Sequence, residues 1–463
     1  MMTYCLTRRS WKIIALLGAA HIAADAVAQT NSVTEANFNA SPKIVVSNDQ
    51  PGLHDHELMP SLSQLTLAQA VKLALQNNHD LRSAQIAIGN AEAMTTIAGA
   101  APNPTLTLQT VGINPALGIG PGNLKQKTVD STIRVDQLIE RGGKRELRLA
   151  SAGHLEKASR LDWIDARRQT QQAASAAYFD LIAAQHKLRI ARETAGLFQV
   201  TLVAAGKRKS IGDIAGADVA RLRVDALRAE NDARLASADL LRAKMNLTLM
   251  LGLKIQPDSV QAIDEWPEQR IPALNNEMEK LLQQRPNILA AKARLDAAVA
   301  ARKLAIASRT RDVSVGLQFE HYPTSPGNTQ GSGNSYGVAL QIPLFTRYEF
   351  QGEIRAAEIA VDAAQENLNK HIDAARSEIA VVIESAQASE ELLRRFKMDL
   401  LPAAKHSADA AEFAFKNGAI GVMDVLDARR IYRATEMDAI NAQTEFAKAF
   451  TTLRIYAQEM NDK

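Results

Sequence analysis

The chain has one cysteine in 463 residues, Cys5. That excludes a disulfide framework and a thiolate metal site. Aromatic residues make up only 5%, which is low for a conventional globular core. Alanine dominates instead, and small residues suit helices packed closely side by side. Beyond the N-terminus there is no run of ~18 or more apolar residues, so no transmembrane helix is expected. Charge of one sign is also scarce. The formal net charge is +3, from 54 basic and 51 acidic residues, and the basic residues form no long block. A nucleic-acid partner is not expected. There is no P-loop, no Rossmann glycine pattern and no HExxH spacing. His79, His154, His186, His371 and His406 are dispersed along the chain. Neither an enzyme nor a cofactor is expected.

Residues 1–28 have the layout of a cleavable export signal. Arg8, Arg9 and Lys12 form the positive region, Ile13 to Ala20 the apolar one, and Ala26-Val27-Ala28 the small-x-small cleavage site. Thr7-Arg8-Arg9 only faintly echoes a twin-arginine signal, so plain export is the reading. Cys5 precedes the charges and leaves with the signal, so no lipid anchor is expected. An exported chain without a membrane helix is either soluble or a β-barrel.

Self-similarity fixes the architecture. Gly418-Ala-Ile-Gly-Val-Met-Asp-Val-Leu-Asp-Ala-Arg-Arg430 echoes Gly212-Asp-Ile-Ala-Gly-Ala-Asp-Val-Ala-Arg-Leu-Arg223 without gaps at an offset of 206. Gly212 meets Gly418, Asp218-Val219 meets Asp424-Val425, and Arg223 meets Arg429. The period is too long for a solenoid and implies two copies of one half. Gly206, Gly212 and Gly216 in one copy, and Gly418 and Gly421 in the other, are expected to break the helices at the tip of a helical hairpin.

Residues 29–64 read as an extended arm, punctuated by Pro42, Pro51 and Pro60. Within it His54-Asp55-His56-Glu57 offers ligand types for zinc or copper, and His54 and His56 are weak metal candidates; a solvated linker is the plainer reading. Helices follow at Thr66 to Gln76 and about Asp80 to Ala100, the second ended by Pro102 and Pro104.

Each half then carries two alternating segments around a long polar loop. In the first half these are residues 105–111 and 131–139, and in the second Val313–Glu320 and Tyr336–Ile342. Their length and alternation suit tilted transmembrane strands. Phe319, Tyr322, Tyr336, Phe345 and Tyr348 stand at strand ends, where an aromatic girdle would lie. A soluble sheet with one wet face is the alternative. Four strands alone are too few to close a barrel.

Lys144 to Ala205 and Glu353 to Lys416 read as helices of roughly 90 Å each. Apolar residues recur at threes and fours, as at Ala174, Ala177, Tyr178, Leu181, Ala184, Leu188 and Ala191. Shorter helices at 80–100 with 217–250, and at 286–310 with 422–458, are expected to stack end to end alongside them.

Three motifs together resemble the TolC family of outer membrane efflux proteins over nearly all of 65–460. They are Gln284-Arg-Pro-Asn-Ile-Leu-Ala-Ala291, Gln341-Ile-Pro-Leu-Phe345, and Asp424-Val-Leu-Asp-Ala428 after Gly418. Asn287 replaces the family's usual aspartate. Ile139-Glu-Arg-Gly-Gly-Lys-Arg145 further resembles the heavy-metal-efflux (CzcC-like) branch. The resemblance implies a mixed, mainly α fold. Long α-helical hairpins would form a periplasmic α-barrel, and four strands per chain would enter a trimeric twelve-stranded transmembrane β-barrel. The implied partners are two further copies of the chain, outer membrane lipid, a periplasmic adaptor and an inner-membrane pump of the RND type. The implied location is the outer membrane, with the helices in the periplasm. The domains would be the signal 1–28, the arm 29–64, a first repeat 65–251 with hairpin 105–139 and tip 206–217, an equatorial linker 252–275, and a second repeat 276–463 with hairpin 313–345 and tip 416–424.

The resemblance also implies a periplasmic gate. Asp424 and Asp427, at i and i+3, share one helix face. In a trimer they would set six carboxylates around a narrow tip, attracting cations and resisting anions. The plainer reading is a pair of helix N-terminal carboxylates favoured by the macrodipole. Arg221, at the position equivalent to Asp427, is expected to pair with one of them. Lys207, Arg208 and Lys209 are expected to help dock the adaptor, beside Gly212, Gly418 and Gly421. The tyrosine and arginine that lock the tip in some family members align with Phe415 and Ile420, which cannot make that hydrogen bond. The expected function is an efflux exit duct, with heavy-metal cations as cargo. The same duct serving drug efflux or type I secretion, and a soluble periplasmic coiled-coil adaptor or scaffold, remain open.

Overall fold

A computed structural model describes residues 62–111, 113, 129–212, 214–253, 259–263, 266–267, 278–322, 333–417 and 419–461. The expected signal, His54 and His56, both loops between paired strands, and Gly418 lie outside those residues. The chain divides into residues 1–59 and 60–463, and all described residues belong to the second unit.

The order of elements repeats. The first half runs α1 (Leu67–Asn77), α2 (His79–Gly99), β1 (Thr105–Val111), β2 (Asp130–Ile139), α3 (Lys144–Ser210) and α4 (Gly216–Leu251). The second runs α5 (Met278–Gln284), α6 (Pro286–Ala307), β3 (Val313–His321), β4 (Asn334–Gln341), α7 (Gln351–Arg395), a π turn (Phe396–Leu400), α8 (Leu401–Lys416) and α9 (Val422–Asn461). The strands form one antiparallel sheet in the order β1-β2-β3-β4, so the two hairpins join through β2 and β3.

Local chemistry sets the boundaries. Thr66 opens α1 with a reciprocal capping box: its hydroxyl accepts from the Gln69 amide at 3.2 Å, and the Gln69 side chain accepts from the Thr66 amide at 3.0 Å. Between β2 and α3, Gly142 and Gly143 both take left-handed φ, at 74° and 67°. Lys144 then reaches across to Asp312 at 2.8 Å, tying this corner to the start of β3. The Glu140-Arg-Gly-Gly-Lys segment is thus a strand-to-helix corner clamped between the repeats.

α3 runs unbroken for 67 residues, about 100 Å. Of the stripe the sequence spacing predicts, Ala174, Tyr178, Leu181, Ala184, Leu188 and Ala191 are buried and Ala177 is half-buried. Residues 259–263 and Trp266 lie along it rather than hanging free. Tyr178 donates to the Ile263 carbonyl at 2.9 Å, Gln185 exchanges two hydrogen bonds with Ala262, and Trp266 stacks on Phe179. A parallel bridge from Leu65 to Ala262 completes this patch.

The short helices meet end to end through their N-cap residues. In the first half Asn78 caps α2, accepting from the Asp80 and Leu81 amides, while its side-chain amide donates to the Met250 carbonyl at the end of α4. Gly252 turns away there at φ 64°, so close to Asn77 that a Cβ would lie 2.2 Å from that carbonyl oxygen.

In the second half the N-cap of α6 is Arg285, from the Arg-Pro-Asn motif. Its buried guanidinium binds Glu378 of α7 at 2.6 Å and lies 5.2 Å from the ring of Tyr456 near the end of α9. Arg168 of α3 approaches the same ring at 5.4 Å and is held by Asp165 at 2.8 Å. The Tyr456 hydroxyl donates to Glu378. Burial pushes the Glu378 carboxyl up, but hydrogen bonds from Tyr456 and Arg285 and the two guanidinium charges outweigh it, leaving the group below the usual carboxylate range. Burial, and then the bond to Glu378, push the Tyr456 phenol up.

The second long helix departs from the first. Pro402 has no amide proton, and its ring crowds the carbonyl four residues back. The chain widens by one residue: the Leu401 amide bonds to the Phe396 carbonyl, five residues away.

Candidate functional site

Two regions carry the expected function, the sheet and the helical tip.

The pairing register sorts the sheet into two faces. Leu106, Val135, Leu317 and Val338 lie in one row across all four strands, and Leu108, Ile133, Phe319 and Tyr336 in the next. Gln137, Val315 and Leu340, then Ile139 and Val313, continue toward the helices. From Val313 to Phe319 this mostly apolar face rises about 20 Å. It is uncovered: Leu108 is 68% exposed, Leu317 63% and Val338 78%. Phe319 and Tyr336 close its far end with ring centroids 5.4 Å apart.

The opposite face is polar. It carries Thr107, Arg134 and Gln318 in one row and Gln109, Thr132, Glu320 and Ser335 in another. Arg134 pairs with Asp136 at 2.7 Å. Gly316 makes room for that pair, since a Cβ there would lie 2.4 Å from the Asp136 carboxylate. A soluble sheet would bury its apolar face and wet the other. Here the apolar rows have no cover among the described residues, as on a lipid-facing strand. Among the described residues no helix is long and apolar enough to cross a membrane.

At the tip, α3 passes straight through Gly206 and ends at Ser210. Gly216 is the first residue of α4. Of the expected first-half breakers, only Gly212 takes a left-handed φ, 81°. Gly206 is corrected to a position inside α3, where the helix runs on, while Gly216 stands at the boundary that opens α4. Gly421 likewise has no left-handed φ. Lys207 and Lys209 are exposed, and Arg208 lies 5.9 Å from the ring of Phe415, joining the two tips.

Asp424 is the third residue of α9, and its carboxylate accepts from the Gly421 amide at 3.0 Å. Asp427, one turn on, is 65% exposed and pairs with Arg430 at 3.4 Å. The expected pairing of Arg221 with these aspartates is replaced within the chain. Arg221 is 72% exposed and its partner is Asp218, 4.0 Å away on its own helix. The reason is position: Arg221 lies one turn from Asp218, whereas Arg430 stands between Asp427 and Asp225 of α4.

Three arginines of α9 that sequence reading passes over do the joining. Arg429 pairs with Glu412 of α8, Arg430 with Asp225 of α4 at 3.1 Å, and Arg433 with Glu193 of α3 at 3.2 Å. Hydrogen bonds from Lys416 and Arg429 hold the Glu412 carboxyl below its usual range. The signal was available as the Arg429-Arg430-x-x-Arg433 spacing, which aims charges at several neighbours from one helix. Among the described residues no group of His, Cys, Asp and Glu has the geometry to hold a metal ion.

The profile of the family described as "Outer membrane efflux protein" matches residues 70–253 and 278–457. The chain belongs to that family. The two matched stretches correspond to the two structural repeats, and the chain is an outer membrane efflux channel of mainly helical, TolC-like fold. It is 25% identical over 427 residues to the cobalt-zinc-cadmium resistance protein CzcC of Cupriavidus metallidurans, covering 89% of this chain and 95% of that protein. It is 26% identical over 414 residues to the pyoverdine export outer membrane protein OpmQ of Pseudomonas putida, covering 84% of each. The fold matches the crystal structure of the CmeC outer membrane channel of Campylobacter jejuni with a TM-score of 0.72 at 17% identity, covering 85% of each chain. The family and the uncovered apolar face set aside a soluble adaptor or scaffold.

Proposed function

We propose that three copies of the chain close one barrel in the outer membrane and form the exit duct of a tripartite efflux system. The observation that carries this is the sheet, whose β1 and β4 each have one edge without a neighbour among the described residues. Open edges do not occur in the hydrocarbon of a bilayer. Pairing β1 of one copy with β4 of the next removes every edge and turns the apolar rows to lipid and the Arg134–Asp136 rows to the lumen. The helices then stand on the periplasmic side, with their tips facing an adaptor and an inner-membrane pump. Lys207, Arg208, Lys209, Gly212, Gly418 and Gly421 are the docking residues, and Asp424 and Asp427 form the constriction. Detergent extraction followed by light scattering tests the assembly. A mass of three chains supports it, and a monodisperse monomer soluble without detergent overturns it.

We further propose heavy-metal cations as cargo. Support comes from the CzcC relative and the acidic tip; OpmQ, at similar identity, favours the same duct with a different cargo. Export of zinc, cobalt, cadmium and copper, measured against drugs in a deletion strain, separates the two. Loss of metal export alone supports the cation reading, and loss of drug export alone overturns it.

A further inference from the structure

A cavity of about 560 Å³ lies between α3, α9, the π turn and α8, lined by no residue of the sheet and by neither aspartate of the tip. His186 and Arg189 come from α3, Tyr432 from α9, and Lys397 and Lys405 from the π turn and α8. Trp266, stacked on Phe179 of α3, closes it. Leu401, Pro402 and Ile440 supply apolar wall. The size falls within the range of small-ligand sites, and so does the make-up of apolar walls with a few convergent polar groups.

Its charge is unbalanced. Glu436 is bound to Arg433 at 2.7 Å, and Arg189 to Glu193 at 3.3 Å. Lys397 and Lys405 have no ion-pair partner among the described residues. Their convergence follows from the π turn. Eight residues apart on an α-helix, they would point about 80° away from one another, and the one extra residue of the turn reduces that to about 20°. The same distortion that Pro402 imposes therefore aims two cations into one cavity with an indole at its side.

We infer that this cavity binds a small organic anion bearing a flat ring, with the ring against Trp266 and the acid group between Lys397 and Lys405. A bound molecule would bridge the π turn and α8 to α3 on the opposite wall. The inference is independent of the cargo.

Tryptophan fluorescence of the detergent-solubilised protein tests it, with 4-nitrobenzoate as a quenching anion and 4-nitrobenzamide as its neutral counterpart. A Trp163→Phe background leaves Trp266 as the reporter in the residues after 28. The expected result is saturable quenching by the benzoate and only weak, linear quenching by the benzamide. Lys397→Gln with Lys405→Gln should weaken the benzoate affinity by roughly fivefold to tenfold, the loss of two partly exposed ion pairs. Both lysines are exposed, so circular dichroism should be unchanged. Equal quenching by the two compounds, linear quenching by the benzoate, or an unchanged affinity in the double variant would overturn the inference.

Discussion

Arg430 of the second repeat donates to Asp225 of the first across 3.1 Å, and its other terminal nitrogen lies 3.4 Å from Asp427. One guanidinium therefore ties a carboxylate expected at the gate to the neighbouring helical hairpin. Alignment of the repeats assigns that task to Arg221, whose partner is Asp218 instead.

Arg430→Ala should accordingly loosen the resting tip, raising resting conductance in planar bilayers severalfold. Arg221→Ala should leave it unchanged. Arg430 is about half exposed, so the pair itself contributes only about 0–1 kcal/mol. The melting temperature should move little, and a double-mutant cycle with Asp225→Ala should give a coupling of similar size. Equal conductance in Arg430→Ala and wild type would remove the tie from any role in closure.

Replacing Asp424 and Asp427 together by alanine should lower cation selectivity and divalent-cation block in bilayers. Asp424→Asn alone keeps an oxygen for the Gly421 amide. It thus separates the carboxylate's charge from its helix-capping role. Unchanged selectivity and block in the double variant would mean that the constriction lies elsewhere.

Glu378→Ala should destabilise by about 3 kcal/mol, since it leaves the guanidiniums of Arg285 and Arg168 without their shared partner. The figure sits at the low end of such losses because Glu378 is 45% exposed. The pH dependence has a definite sign. The folded carboxyl titrates below its unfolded value, so its contribution is present above the unfolded pKa and is lost as pH falls through the folded one. For Tyr456 the shift is upward, so its contribution is present below the unfolded phenol pKa and is lost as pH rises through the folded one. Thermal melts should show the acid loss in wild type and a flatter acid limb in Glu378→Gln.

Two glycines should respond in opposite directions. A Cβ at Gly252 meets backbone 2.2 Å away at φ 64°, so Gly252→Ala should cost about 2 kcal/mol or more. Gly196 lies within α3, where a Cβ would meet nothing within 4 Å, so Gly196→Ala should stabilise by up to about 1 kcal/mol. Denaturation monitored by circular dichroism distinguishes them.

The strands were legible because one face alternates cleanly over seven to ten residues, and their observed ends lie within about two residues of those expected. α3 was legible from its alanine-rich stripe and freedom from proline. The π turn was not. Pro402 reads as an ordinary interruption, and only the packed helix decides between a kink and a widened turn. The Arg285–Glu378–Tyr456 cluster was also hidden, since its members are 78 to 171 residues apart in sequence. At the tip, glycine alone suggests a break at Gly206, where neighbouring helix formers carry the helix on.

The difference between α3 and its counterpart has a mechanical consequence. α3 is one stiff strut, whereas α7 and α8 are joined at the π turn. The 16 residues of α8 make an arm of about 24 Å, so a bend of about 10° at that joint would sweep Lys416 through about 4 Å. Arg429, clasping Glu412 near the end of the arm, would pass that displacement to the start of α9. The two halves of the duplicated chain thus differ in compliance, and the second supplies the lever.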